Sequence, residues 1–254
     1  MPGSRVGSLV LVPNTLDLGT ETVDLQGVLP LAVIRRAAHL AFWAAEDARS
    51  ARAFLKRVDA VVPLARPLQS IDVRELPRPR KGSREPVPAL QWRALLQPAI
   101  DGHDLGLISE AGLPAVADPG ALLVEAAHQA EVPVLVLPGA SSLLMALAAS
   151  GLNGQSFAFV GYLPQEAEPR AARIRELEAL SRRTQQTQLL IETPYRNAAL
   201  LAALLGTLAA ATRLSISCGL TLAGGWSRSD TVAQWKARPA TLPDRVPAVF
   251  ALMA

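Results

Sequence analysis

The chain has 254 residues, with a single cysteine, few aromatic side chains and little net charge. One cysteine, Cys218, excludes an intramolecular disulfide framework and predicts a reducing compartment. Aromatic residues make up only 4% while half of the chain is hydrophobic, which favours helices packed on sheets over an all-β barrel. No apolar run approaches the ~20 residues that cross a bilayer, and the run from Leu9 to Val12 is too short for a signal peptide. We therefore expect a soluble, cytoplasmic protein.

Several common catalytic and ligand-binding motifs are also missing. The first loop, Val12 to Gly19, is neither a GxGxxG turn nor a P-loop, which argues against dinucleotide-binding and P-loop proteins. No serine lies in a GxSxG elbow. His39, His103 and His128 are far apart, and nothing has the spacing of metal ligands, so we expect no metal site. Cys218 lies in a strand-like run without a local partner, and we expect it in the core.

Apolar runs alternate with helical patterns through the first half of the chain. The sequence predicts strands at 8–12, 40–45, 60–64, 105–109 and 133–137, and helices at 31–38, 48–58, 89–100, 121–130 and 141–150. Such alternation predicts a mostly parallel sheet covered by helices.

The second half has fewer convincing crossover helices. Strands are predicted at 157–161, 188–192, 214–218, 225–231 and 246–253, and helices at 168–183 and 196–205. The sequence therefore predicts a mixed sheet with helices here. Gly151 and the following Leu-Asn-Gly predict the end of a helix and a linker. We predict an α/β protein with two domains, an N-terminal one over 1–153 and a C-terminal one over 154–254.

Loops rich in Gly, Pro, Ser and acidic residues follow two of the predicted strands, at Ser109–Gly120 and Leu137–Ser142. Small ligands bind at the carboxyl ends of parallel strands, and exposed N–H groups at helix N-termini suit an anionic group such as a carboxylate. This pattern predicts a ligand site without identifying the ligand.

Two further strand-to-helix connections carry polar residues, Ala45–Arg49 and Ile191–Asn197. In the second, Thr193 is a candidate N-cap and Pro194 lies near the first helical position. Each is equally consistent with an ordinary helix start, since acids in a first turn favour the helix dipole.

A Pro-rich segment concentrates positive charge in Arg74, Arg78, Arg80, Lys81 and Arg84. Few acidic residues balance it, although the whole chain carries a net charge of only +3. The segment is either a solvated loop or a flexible basic arm that contacts a polyanion such as RNA.

Read in chain order, these motifs resemble the tetrapyrrole methylase superfamily, the class III methyltransferases that use S-adenosylmethionine. The nearest branch is the one that methylates a ribose 2′-hydroxyl of 16S ribosomal RNA. The resemblance rests on Ala45–Arg49, Ser109–Gly120, Pro138-Gly139, Gly161–Pro164 and Glu192–Arg196.

The resemblance implies a homodimer of two-domain chains with S-adenosylmethionine in the cleft between the domains. It also implies that Asp118 braces the loop along the cofactor, and that Ser141 and Ser142 supply hydroxyl groups. The cofactor-binding residues it implies are Ser109, Ala111, Gly112, Pro114, Asp118, Pro138, Gly139, Ser141, Ser142, Tyr162, Leu163, Glu192, Thr193, Tyr195, Pro247 and Ala248.

A sulfonium is already an activated methyl donor, so such an enzyme needs positioning and, for a hydroxyl acceptor, a general base. The candidate bases are Glu110, first, and Glu46 and Asp47, because all three follow predicted strands. Alternatively, these acids orient loops or bind the ribose hydroxyls of the cofactor. The function we expect is RNA methylation; methylation of a small molecule such as a tetrapyrrole, or of a protein, and non-catalytic cofactor binding are the alternatives.

Overall fold

A computed structural model describes residues 6–16, 24–79 and 85–254. The chain divides into two compact units, residues 1–140 and 141–254, and each contains a five-stranded sheet. Within the described ranges, none of the helices combines the length and the apolar character that a membrane span requires.

The sheet of the N-terminal unit is parallel throughout. Its strands are β1 Leu9–Leu11, β2 Phe42–Ala45, β3 Asp72–Glu75, β4 Leu105–Ile108 and β5 Val134–Val136. They lie in the order β3-β2-β4-β1-β5, and all four neighbouring pairs are parallel. The mostly parallel N-terminal sheet predicted from the sequence is confirmed, and its loops after the strands therefore leave from one edge.

Helices supply the apolar layers that cover this sheet. They are α1 Leu31–Ala38, α2 Ala48–Val61, α3 Ala89–Leu95, α4 Gln97–Ile100 and α5 Ala121–Gln129. Ile34 of α1 and Phe54 of α2 share a core cluster with Trp43 of β2. Trp92 of α3 and Leu123 of α5 pack in a second cluster.

Two of the predicted elements are wrong. Residues 60–64 do not form a strand, because α2 continues to Val61, and the third strand is instead β3. β3 is an edge strand of polar, partly exposed residues, so it lacks the apolar run that marks the other strands. Arg74 therefore lies in a strand. The helix predicted over 89–100 is interrupted at Leu96, since Pro98 cannot donate to the carbonyl four residues earlier.

The sheet of the C-terminal unit is mixed, as predicted. Its strands are β6 Phe157–Gly161, β7 Thr187–Ile191, β8 Arg213–Cys218, β9 Trp226–Thr231 and β10 Ala248–Met253. They lie in the order β6-β7-β10-β8-β9, with β6 and β7 parallel and the other pairs antiparallel. Cys218 is buried in the core of this unit.

The helices of this unit are α6 Ser142–Ser150, α7 Ala167–Thr184, α8 Asn197–Thr207 and α9 Val232–Ala237. The sequence analysis missed α9, which is short and begins with a capping box between Thr231 and Gln234.

Helix α6 belongs by its contacts to the C-terminal unit. Leu143 and Leu147 share a core cluster with Leu189 of β7 and Val249 of β10. The helix ends, as predicted, at Gly151 in the left-handed conformation. The division between the units accordingly comes before α6, whereas the sequence placed it at 153. A helix stop in the sequence does not reveal which sheet the helix packs on.

Candidate active site

The loops after β1, β2 and β4 are joined by hydrogen bonds at the carboxyl edge of the N-terminal sheet. The Glu46 N–H donates to the Ile108 carbonyl at 3.2 Å, and the Glu110 N–H donates to Oε2 of Glu46 at 3.4 Å. The Asn14 side-chain amide donates to the carbonyls of Ser109 and Glu110, both at 3.0 Å. Two of the predicted catalytic residues, Glu46 and Glu110, are thus brought together although 64 positions separate them.

Asp118 belongs to the same acidic cluster. The pKa of Asp118 is raised to about 6, chiefly by burial and also by the charges of Glu46 and Glu110, against a hydrogen bond with Ser109 that lowers it. Burial also raises the pKa of Glu46, with Glu110 adding to the rise and the Glu110 N–H and Arg78 opposing it. Asp118 and Glu46 therefore hold protons more readily than ordinary carboxyl groups.

We predict that Asp118 makes stability depend on pH. A folded-state pKa above the ordinary 3.8 gives stability that is complete below about pH 4 and is lost as the pH rises through about 6. The Asp118→Asn protein lacks this loss, so its advantage in free energy of unfolding over the natural chain should grow across that window and then level off. Urea unfolding of both proteins between pH 4 and 8 measures the difference.

Removing the neighbouring charge checks the cause. In a Glu46→Gln protein the Asp118 titration should move to lower pH, which NMR of the labelled carboxyl group detects. A difference between natural and Asp118→Asn proteins that stays flat from pH 4 to 8 would contradict the cluster.

Asp47 has a different environment from the other two candidate bases. Its carboxylate caps α2 by accepting from the Ser50 N–H at 2.7 Å. Hydrogen bonds from Ser50 lower the pKa of Asp47, which makes it a weaker base than a group whose pKa is raised. Asp47 therefore stands at the start of α2 as its N-cap, one position before the first helical turn in which the alternative interpretation expected an acid.

The loop after β4 has an unusual backbone. Gly112 has φ 74°, and Ala115 and Ala117 adopt left-handed conformations with φ 67° and 64°, each costing on the order of 1–2 kcal/mol for a residue with a Cβ. At the loop after β5, a Cβ on Gly139 would lie 2.3 Å from Cβ of Pro13, so only glycine fits. The main chain of both loops therefore has one specific conformation.

An open apolar depression of about 320 Å³ lies beside these loops in the same unit. Its walls come from β1, β5, the loop after β4 and α5, and the lining residues are Leu11, Leu113, Pro114, Ala115, Val116, Ala121, Val124 and Val136. Of the predicted cofactor-binding residues, Pro114 contributes to this surface. The other loop residues of that prediction, Ser109, Ala111, Gly112, Asp118, Pro138 and Gly139, belong to the two loops after β4 and β5.

In the C-terminal unit, one edge of the sheet collects most of the remaining predicted residues. β6 and β7 end there, and β10 starts there, because Val249 pairs with Ile191 in an antiparallel register. Side chains of Tyr162 and Tyr195 are exposed, whereas Leu163 is buried in the core. Pro247 and Ala248 stand at the start of β10.

Glu192 is buried, and its carboxylate binds groups of the loop in which it lies. It accepts from the Thr193 N–H at 2.9 Å and the Thr193 hydroxyl at 3.3 Å, and it pairs with Arg196 at 3.1 Å. Thr193 occupies the N-cap of the turn Pro194–Arg196, but its side chain makes no capping hydrogen bond. The same holds for Ser141 at the N-cap of α6, which Ser142 follows as an exposed residue.

The basic segment is only partly described. Arg74 pairs with Asp72 at 2.7 Å, and Arg78 donates to the Glu46 carbonyl at 2.7 Å. Arg80, Lys81 and Arg84 lie outside the described residues. Arg78 of the basic segment therefore lies next to Glu46 of the acidic cluster. The sequence analysis did not predict this contact.

The sequence analysis missed two site residues, Asn14 and Arg57, whose Nη2 donates to Oδ1 of Asn14 at 3.2 Å. The first loop was rejected as a nucleotide-binding motif, and no role was predicted for Asn14. The one available signal was a polar residue that follows the buried strand β1 by three positions, because a buried polar side chain must find hydrogen-bond partners. Across the described ranges, no group of three or more His, Cys, Asp or Glu side chains could hold a metal ion.

The chain is similar in sequence to proteins named as ribosomal RNA methyltransferases. It is 45% identical over 116 residues to a ribosomal RNA small subunit methyltransferase I from Micromonospora olivasterospora, covering 46% of this chain and 36% of that protein. The identity to the protein of the same name from Streptococcus pyogenes serotype M6 is 31% over 190 residues, covering 75% and 57%. The chain thus spans between about a third and just over half of the lengths of these relatives.

The structure is also similar to a solved methyltransferase. The structure of the methyltransferase CobJ superposes with a TM-score of 0.54 at 16% identity, covering 97% of this chain and 94% of that one. At this identity the likeness concerns the fold, and it agrees with the predicted two-part α/β architecture. The family model for tetrapyrrole (corrin/porphyrin) methylases matches residues 31–235, and the chain therefore belongs to the tetrapyrrole methylase family.

Proposed function

We propose that this chain is an S-adenosylmethionine-dependent methyltransferase that acts on ribosomal RNA, at a ribose 2′-hydroxyl. The observation that carries the proposal is the 45% identity over 116 residues to a relative named for methylation of ribosomal RNA. The clustered carboxylates at the carboxyl edge of a parallel sheet support it, since that edge is where α/β proteins bind ligands. A substrate in ribosomes would place the protein in the cytoplasm.

The residues present fit the cofactor. S-adenosylmethionine carries a sulfonium, an ammonium group and ribose hydroxyls, and the carboxylates of Glu46 and Asp118 are acceptors or counter-charges for such groups. At Gly112, no described atom lies within 4 Å of where a Cβ would stand, so the main chain there is open to a ligand. The residues that would hold the cofactor are those named for it in the two loops after β4 and β5, with the C-terminal residues Ser141, Ser142, Tyr162, Glu192, Thr193, Tyr195, Pro247 and Ala248 contributing as the family resemblance implies.

When bound, S-adenosylmethionine supplies a methyl group already activated by its sulfonium. Glu110 would accept the proton from the acceptor hydroxyl, because its side chain is exposed while its main chain is held by Asn14 and Glu46. Glu46 would hold the main chain of Glu110, and Asp118 would hold Ser109 through a side-chain hydrogen bond. Both also add carboxyl groups to this edge of the sheet. Asp47 serves α2 as its cap.

Labelled cofactor identifies the acceptor. The purified protein is incubated with methyl-labelled S-adenosylmethionine and, separately, small ribosomal subunits, total RNA and the small-molecule fraction of a cell extract. We expect label in the ribosomal RNA, and nuclease mapping then locates the ribose. Label in the small-molecule fraction alone would favour a tetrapyrrole-like acceptor instead, while cofactor binding without transfer to any fraction would indicate a non-catalytic protein.

The basic segment is proposed to bind this RNA. Replacing Arg80, Lys81 and Arg84 together by glutamine should weaken RNA binding and reduce the slope of log affinity against log salt by up to about 2, since each lost phosphate contact removes roughly 0.7. Arg74 and Arg78 are left unchanged because Arg74 pairs with Asp72 and Arg78 donates to the Glu46 carbonyl. Filter binding at several salt concentrations measures both quantities.

A matched control removes positive charge elsewhere. Arg182 and Arg183 are exposed at the end of α7 in the C-terminal unit, and their double glutamine variant should keep the natural salt slope. Equal slopes for the natural chain and the basic-segment variant would assign that segment to a solvated loop.

We also infer a homodimer, as the family resemblance implies. Leu135 and Val136 on the edge strand β5 are exposed, and Val116 and Leu122 lie exposed on the loop and helix nearby. Val116 and Val136 line the same open apolar depression, and exposed apolar surface marks interaction sites. Sedimentation velocity reports whether the protein is dimeric and whether a charge at Val136 dissociates it.

A further inference from the structure

Asn14 has every hydrogen-bonding group of its side chain in use. It is buried in the loop after β1, three positions beyond Leu11, and β1 itself lies between β4 and β5 in the sheet. Its amide nitrogen donates to the Ser109 and Glu110 carbonyls. Its Oδ1 accepts from Nη2 of Arg57 at 3.2 Å and from the Thr15 N–H at 2.9 Å. Two donor hydrogens and two acceptor lone pairs are the full capacity of an amide group.

The main chain of Asn14 adds a second connection to the same loop. Its N–H donates to the Gly112 carbonyl and its carbonyl accepts from the Gly112 N–H, both at 2.9 Å. The segment from Ser109 to Gly112 is therefore held by two side-chain and two main-chain hydrogen bonds from one residue. The segment has no strand pairing of its own in the sheet, because β4 ends at Ile108.

Arg57 determines which way the amide points. It lies on α2 and also donates from Nη1 to the Thr15 hydroxyl at 2.7 Å. A guanidinium only donates, so it fixes the oxygen of Asn14 toward itself and the nitrogen toward the two carbonyls. A carboxylate at position 14 would turn an oxygen toward the Ser109 and Glu110 carbonyls, where it finds acceptors only.

We propose that Asn14, oriented by Arg57, is a positioning residue that holds the main chain of Ser109–Gly112 and thereby places the Ser109 hydroxyl and the Glu110 carboxylate for the reaction. This inference rests on the proposed function, since it assigns Asn14 a role in the same site. It extends that function to the first loop, which carries no recognised motif in the sequence.

The first test measures the loop and needs no activity. In an Asn14→Asp protein, amide hydrogen exchange across 109–112 should rise by at least about tenfold, as expected for the loss of two hydrogen bonds. Exchange in β2 and α2 of the same unit should stay unchanged, which shows that the variant is folded. The Thr15→Val protein keeps the contacts of Asn14 to this loop and should exchange like the natural chain. Unchanged exchange in the Asn14→Asp protein would overturn the proposal.

The second test separates positioning from general destabilisation. If Asn14 places Glu110, the loss of kcat caused by Glu110→Gln should shrink to less than about tenfold in the Asn14→Asp background, because residues that act as a unit are non-additive. Fully additive losses would overturn the positioning role. A natural chain that neither binds S-adenosylhomocysteine nor transfers methyl groups would contradict the proposed function alone, and the exchange experiment would still decide whether Asn14 holds the loop.

Discussion

Replacing Glu110 by glutamine is expected to lower kcat for methyl transfer by about 10²–10⁴-fold, the usual contribution of a general base. The change keeps the size of the side chain and its hydrogen-bonding oxygen but removes the group that accepts a proton. Glu110 is exposed, so the variant should fold, and loss of the charge that raises the pKa of Asp118 should not destabilise it. Affinity for S-adenosylhomocysteine, measured by calorimetry, should also be retained, because a base acts in the transition state and not in cofactor binding.

Two comparisons make this result specific. Glu125 is another exposed acid of the N-terminal unit, on α5, and its glutamine variant should methylate at the natural rate. Glu46→Gln and Asp47→Ser test the other candidate bases, the serine preserving a cap on α2. A Glu110→Gln protein with full activity would remove Glu110 as the base, and a large loss in one of the other two would assign the proton transfer there.

Removing the Glu192 carboxylate is expected to destabilise the protein by roughly 3–5 kcal/mol, the cost of breaking a buried ion pair from one side. The Glu192 side chain is only 3% exposed and that of its partner Arg196 19% exposed. In a Glu192→Ala protein the guanidinium loses its counter-charge, and the Thr193 N–H loses its acceptor. Urea unfolding gives the difference in free energy, and we expect the lower end of this range because Arg196 retains some contact with water.

A surface pair provides the control for this prediction. Glu176 and Arg173 on α7 are 2.6 Å apart, with side chains 66% and 38% exposed, and Glu176→Ala should cost less than about 1 kcal/mol. Similar losses in the two variants would show that the Glu192 carboxylate is not needed to hold its loop. Calorimetry with S-adenosylhomocysteine on folded Glu192→Ala protein then tests the proposed contribution of Glu192 to cofactor binding separately from its structural one.

Local sequence was sufficient for the elements that bury apolar faces. Strands such as β4 read as short apolar runs, and helices such as α1 match their predicted bounds, because burial of one face imposes a period that the sequence must keep. Where burial is slight, this signal fails. β3 consists of Asp-Val-Arg-Glu on a sheet edge, and its strand conformation comes from pairing with β2, not from its own composition.

The sequence by itself determined the class of fold, the strand-loop-helix units and the family, because these depend on patterns within short stretches of chain. Tertiary structure alone decided which loops meet. Asn14 reaches carbonyls more than 90 positions away, and Asp118 shares an edge with Glu46, since the strands lie in the order β3-β2-β4-β1-β5 and not in chain order. The raised pKa of Asp118 and the full use of the Asn14 amide are properties of that arrangement, and no single stretch of sequence contains them.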